Sequence, residues 1–129
     1  MNPADISGLF VPLIPVGTVV AVRQEYQVFR TAGGDFLVFS PSNRGSLSFH
    51  MTQVPAARVQ ALAKVVGGDG VTSGSLMKGG RLDEAFGAED KVAMRFDLLV
   101  ALYVLVAKGD LEMKKEGRRL VFRRRKSSL

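Results

Sequence analysis

The sequence predicts an α+β fold: a four-stranded antiparallel β-meander with helices packed on one face, followed by a C-terminal basic β-hairpin. Three observations carry the prediction. Short β-rich runs separated by turn formers fill the region up to residue 51. Two stretches with helical apolar spacing come next. A cationic run broken at Glu116-Gly117 closes the chain. Strands followed by helices, without regular alternation, are the pattern of an antiparallel sheet with helices segregated to one side.

The elements follow in order. Residues 9–16 (LFVPLIPV) are apolar but hold Pro12 and Pro15, so they predict an extended segment laid over a core and not a helix. Strands are expected at 18–23, 25–31, 35–40 and 46–51. Their connectors, 32–34 and 41–45, are rich in Gly, Pro, Ser and Asn. A helix is expected over 54–66, with Pro55 in its first turn and Val59, Leu62, Ala63 and Val66 on one face. The Gly67-Gly68-Asp69-Gly70 run stops it. Residues 72–80 hold at most a short turn of helix around 75–78. A longer helix is expected from Glu89-Asp90 to Lys108, stopped by Gly109, with acidic residues at its start and a cation at its end. Its apolar run, 98–107, would be covered by its own fold or by a second subunit in a homo-oligomer. Residues 111–115 and 118–123 form the hairpin. The expectation is one domain: extended segment and meander to 53, a helical part over 54–110, then hairpin and basic tail over 111–129.

Composition narrows the function. A chain of 129 residues, 47% hydrophobic, can bury a core without cross-links. With no Cys and one His, it has no disulfide framework, no Cys-ligated metal and no intrachain His cluster. Its longest apolar run is ten residues, against the ~20 that a membrane helix needs. The start, MNPADISG, lacks the early cations of a secretory signal, so a cytoplasmic location is expected. Residues 114–126 carry eight Lys or Arg and one Glu, a net of +7 in a chain of +6. The basicity is therefore local. Such a run draws polyanions by counterion release, nucleic acid above all, or serves as a solvated end.

A register can be set by the connectors. If 30 faces 36, 28 faces 38, 38 faces 48 and 36 faces 50, alternation sorts the side chains into two faces. One collects Phe29, Leu37, Phe39, Leu47, Phe49 and Met51, the expected core face. The other collects Tyr26, Val28, Arg30, Phe36, Val38, Ser48 and His50. That second face, left open, would let bases stack on Tyr26 and Phe36. Arg30, with Arg23 and Arg44 at the rim, would hold phosphates. Ordinary strand packing is the competing reading, with 9–16 wrapped over this face. A one-residue slip would exchange the two faces.

The aromatic sheet, EYQVFRTAGGDFLVFS with SLSFHM, followed by helices, resembles the ThermoDBP-type single-stranded-DNA-binding proteins of archaea over about residues 18–107. The resemblance implies an apolar cleft lined by Tyr26, Phe36 and Phe29, edged by Arg23, Arg30 and Arg44, and a helical C-terminal part that mediates dimers. The sequence departs from that pattern at its end, where a hairpin and basic tail replace a long heptad helix.

The expected function is non-catalytic binding of nucleic acid, single-stranded DNA preferred and RNA also a candidate. The site residues are Arg23, Tyr26, Arg30, Phe36, Arg44 and His50, with Lys114, Lys115, Arg118, Arg119, Arg123 and Arg124 of the basic run. Two alternatives stand beside it. ALYVLVAKGD followed by LEMKKEGRRLVF looks like the last helix and wing of a winged-helix duplex-DNA regulator, with Lys114, Lys115, Arg118 and Arg119 near phosphates. A plain assembly subunit is the third reading. Catalysis, metals and cofactors are not expected. GGDFLVFS with LSFHMT looks like a metal-dependent nuclease core, but His50 and Thr52 stand where a carboxylate and a Lys are needed. Gly79 follows Lys78 where a phosphate-binding loop needs Ser or Thr. Asp83, Glu84, Glu89 and Asp90 suit a helix N-terminus.

Overall fold

The computed structural model describes residues 13–21, 24–41, 49–78 and 91–125. The mixed α+β class holds: a four-stranded antiparallel sheet, helices and a C-terminal hairpin. The chain divides into two compact units, Met1–Ala56 and Ala57–Leu129.

The first unit contains β1 (Leu13–Ala21), β2 (Gln24–Thr31), β3 (Phe36–Pro41) and β4 (Phe49–Val54), ordered β1-β2-β3-β4. β1 starts five residues before the expected strand. It takes in Pro15 at a sheet edge, where a missing N–H is tolerated, and its register shifts between Pro15 and Gly17. The β2–β3 turn forms as expected. Gly34 has φ 94°, and its N–H donates to the Thr31 carbonyl at 3.0 Å, while the Thr31 N–H donates to the Asp35 carbonyl at 2.8 Å. Arg30 therefore faces Phe36 and Val28 faces Val38, the expected register.

β4 lies further along the chain than expected. Phe36 faces Val54 and Val38 faces Thr52, a shift of four residues from the partners predicted for them. The physical reason is at the strand's end. Pro55 halts pairing, and the Ala56 N–H donates to Asp35 Oδ1 at 2.9 Å. That bond fixes the end of β4 beside the start of β3. It also gives Asp35 a capping role at the helix that begins at Ala56.

An even shift preserves side-chain parity, so the expected face memberships survive, but their burial is the reverse of the sequence-based expectation. Val28, Phe36 and Val38 are buried, joined on their face by Val19 and Ala21 from β1 and Val54 from β4. On the opposite face Phe29 is buried and rests edge-on against Phe39, with centroids 5.6 Å apart. Leu37 and Phe39 there are only half-buried, and Val20 and Met51 are 69% and 60% exposed. The aromatics of the inner strands do not settle which face is dry. The β-branched and small residues of β1 and of the end of β4 decide it.

α1 (Ala56–Val65) begins on the last residue of the first unit; its remaining turns, in the second unit, bury Val59 and Leu62, and Val66 follows fully buried, in keeping with the spacing. α2 (Ser73–Lys78) starts from a capping box. The Ser75 N–H donates to Thr72 Oγ1 at 3.1 Å, and the Thr72 N–H donates to Ser75 Oγ at 3.0 Å. α3 (Lys91–Lys108) ends in a Schellman motif. The Asp110 N–H donates to the Leu105 carbonyl and the Gly109 N–H to the Val106 carbonyl, both at 3.0 Å, with Gly109 at φ 85°. Arg58 Nη1 lies 3.4 Å from Asp97 Oδ2, tying α1 to α3.

Leu98 and every residue from Val100 to Leu105 are buried within the single chain. Of the two expected covers, own fold or second subunit, the chain's own fold supplies this one. No helix among the described residues is long and apolar enough to cross a membrane.

β5 (Leu111–Glu116) and β6 (Arg119–Arg124) form the hairpin around Gly117-Arg118, with Gly117 at φ 63° as a tight two-residue turn requires. The acidic cluster at 83–90 and the last residues, 126–129, lie outside the described residues.

Substitutions at three positions test this geometry. Phe36→Ala should lower unfolding free energy by about 3–5 kcal/mol in urea titration, as emptying a buried aromatic site does. A change under about 1 kcal/mol would mean an open site, since surface substitutions fall in that range. Gly70→Ala should cost more than Gly109→Ala. Both positions have positive φ, about 1–2 kcal/mol for an L-residue. Only at Gly70 would the new Cβ also meet Val121 Cγ1 at 2.9 Å, whereas at Gly109 the nearest atom is 3.7 Å away. Thermal melts of the two glycine variants check the order.

Candidate nucleic-acid interface

The sheet residues can be placed one by one. Tyr26 is half-buried on β2, and its hydroxyl donates to Gln24 Oε1 at 3.1 Å. Burial holds its phenol above the ordinary pKa of 10.0. Arg30 is exposed on the same face, directly across from Phe36. His50 is exposed at the sheet edge, across from Ser40. Phe36 itself is only 6% exposed. A base stacks on the flat of a ring, which needs that ring open to solvent. The expected platform of Tyr26 and Phe36 is therefore corrected: the three groups share a face, but one of the two rings is enclosed. Arg23 and Arg44, the expected rim, lie outside the described residues, as does Ser48.

The nuclease-like arrangement around Asp35 has a structural explanation. The carboxylate of Asp35 accepts the Ala56 N–H, so it serves the start of α1. Among the described residues no three His, Asp or Glu side chains gather closely enough to hold a metal ion.

The basic hairpin is built differently at its root and at its tip. Cross-strand pairing sets Leu111 opposite Arg124, Met113 opposite Phe122 and Lys115 opposite Leu120, all on one face. That face is buried at the root, where Leu111 and Phe122 are enclosed and the Phe122 ring lies 6.2 Å from Tyr103 of α3. The connector between α1 and α2 runs along the other edge of β6. Val71 exchanges two backbone hydrogen bonds with Phe122, at 2.7 and 2.8 Å, and the Arg124 N–H donates to the Gly67 carbonyl at 2.8 Å. The two-stranded hairpin is thus flanked on its β6 side by an isolated bridge at Val71.

Arg124 belongs to this root. Its Nη2 donates to the Ala63 carbonyl at 2.7 Å, near the C-terminal end of α1, where carbonyls lack intrahelical partners and a cation is favoured. Expected as a phosphate ligand, it is engaged in joining β6 to α1. Arg123 is half-buried on the opposite face, across from Glu112. Lys114, Lys115, Arg118 and Arg119 sit in the distal half of the ribbon, and all four are exposed. Glu116, opposite Arg119, is the only carboxylate among them. The structure therefore brings together four of the six cations expected of the basic run and separates them from Arg124.

Sequence reasoning misses the Val71 bridge. Its signals are a lone β-branched residue after Gly70, followed at once by the Thr72-to-Ser75 capping pattern. A single bridging residue has no alternation to detect.

No family model matches the chain, and neither a curated protein nor a solved structure matches it. The likeness to ThermoDBP-type proteins thus rests on the quoted residues alone.

Root and tip should respond differently to truncation. Arg124→Ala should lower stability by about 1 kcal/mol, since it removes a charged hydrogen bond at a solvated site. Lys114→Ala should stay within about 0.5 kcal/mol of the parent. Chemical denaturation of both variants measures the contrast, and equal losses would contradict the division.

Proposed function

We propose that this chain is a non-catalytic nucleic-acid-binding protein that grips duplex DNA through the distal half of its basic hairpin. The observation that carries the reading is the clustering of Lys114, Lys115, Arg118 and Arg119 around a tight turn, exposed, on a ribbon whose root is anchored by buried Phe122. Cations held on a rigid element bind a phosphate backbone with less ordering cost than cations on a flexible tail.

The element order supports the winged form of this reading over the stacking form. Among the described residues a helix, a single bridging residue, a second helix, a third helix and a hairpin occur in that order, and the bridging residue pairs with the hairpin. That is the order expected for a winged-helix module. The central turns of α3 are buried on all sides, so over 100–105 this helix offers no base-reading surface. Binding then falls to the wing. Interactions of this kind go to phosphates, which position a protein without reading sequence. The reading is therefore of salt-sensitive binding with weak sequence preference. The buried Phe36 ring argues against single-strand stacking as the main mode.

The test is a salt titration of binding to a duplex and to a single strand of the same length. The duplex should bind more tightly. Arg118→Ala with Arg119→Ala should reduce the slope of log K against log salt by about 1.8, at roughly 0.9 for each phosphate no longer neutralised. Tyr26→Ala should leave the slope as it was. An unaltered slope in the double variant removes the hairpin from the interface. A single-strand preference abolished by Tyr26→Ala would restore the sheet reading.

A further inference from the structure

The four-stranded sheet has two edges, and they are built differently. β1 carries Pro15, which has no N–H to offer, and its register is broken between Pro15 and Gly17. Both features discourage another strand from adding. β4, FHMTQV, has neither. It contains no Pro, no Gly, no Lys, Arg, Asp or Glu, and it pairs with β3 in unbroken register over its whole length. Among the described residues nothing pairs with its outer side. Met51 is 60% exposed on this strand, directly across from half-buried Phe39. An uncharged, regular edge beside an exposed apolar side chain is a template for strand addition.

We infer that β4 pairs antiparallel with β4 of a second copy of this chain, with Met51 facing its own counterpart across a twofold axis normal to the sheet. Charge selects the occupant. β4 carries no Lys, Arg, Asp or Glu, so it suits an uncharged strand, and the β4 of a second copy is such a strand. A charged extended segment from another protein would find no counter-charge on this strand. Parity selects the register. Residues directly opposite one another share a face, so a symmetric pair can centre only on a residue facing itself. Centring on Met51 sets Phe49 opposite Gln53 and His50 opposite Thr52 of the second copy. It also joins the exposed Met51 side chains into one strip with the two Phe39 rings. Centring on Thr52 would leave each Met51 against Gln53 and forfeit that strip. The two four-stranded sheets become one of eight strands. This inference is independent of the nucleic-acid reading.

The absence of cysteine makes the register directly testable on the full chain. In Met51→Cys the two thiols face each other across a strand pair, within disulfide reach, and mild oxidation should link most of the protein as dimer. In Gln53→Cys, exposed on the same face, the two thiols lie four residue steps apart, about 14 Å, and the protein should stay unlinked. Light scattering should give the unmodified protein twice the 13.9 kDa chain mass, and Met51→Lys should return it to the single-chain mass with an unchanged circular-dichroism spectrum. A parent protein that is monomeric at high concentration overturns the proposal. So does a Met51→Lys protein that stays dimeric, or cross-linking that is equal at positions 51 and 53.

Discussion

Phe122 is the residue on which the second unit depends. Its ring is enclosed against Tyr103 of α3, and its backbone holds Val71 on one side while β6 pairs with β5 on the other. One aromatic therefore ties a helix, a connector and a hairpin together. A buried Phe removes a large apolar area from water, and the two backbone bonds to Val71 fix the direction in which the ribbon leaves the core. Arg124, two residues on, adds a tie to α1. The consequence for function is mechanical. The ribbon's root cannot turn without breaking the core.

That anchoring also resolves how an apolar helix and a cationic ribbon coexist. α3 presents Val100 to Leu105 to protein on all sides, which suits a structural pillar and not a reading helix. Its Schellman end turns the chain sharply at Gly109 and delivers Leu111 into β5 with its side chain buried. The apolar and basic parts are consecutive in sequence but have separate tasks, one supporting and one exposed.

In the sheet, the comparable constraint is Asp35. Its backbone carbonyl closes the β2–β3 turn, and its carboxylate caps the start of α1. The residue therefore sets the ends of β2, β3 and β4 at once. This placement draws Val54 opposite Phe36 and completes the buried face. The outer edge of β4 is regular and carries no Lys, Arg, Asp or Glu.

Much of this is legible in the sequence. The order of the described strands, the face of α1, the stop at Gly109 and the hairpin turn at Gly117 all follow from local spacing and turn chemistry, which act over a few residues. So does the sharing of one face by Tyr26, Arg30 and Phe36, because alternation is a property of the strand itself. Which face is buried is not local information. It depends on Val19 and Ala21 from β1 and Val54 from the end of β4, brought in by pairing across the sheet. The division of the basic run into anchor and tip is likewise invisible. Arg124 and Arg119 are alike as letters, and only the approach of a carbonyl sixty-one positions earlier separates them. Sequence sets the alternation and the charge; long-range packing decides which of those side chains water can reach.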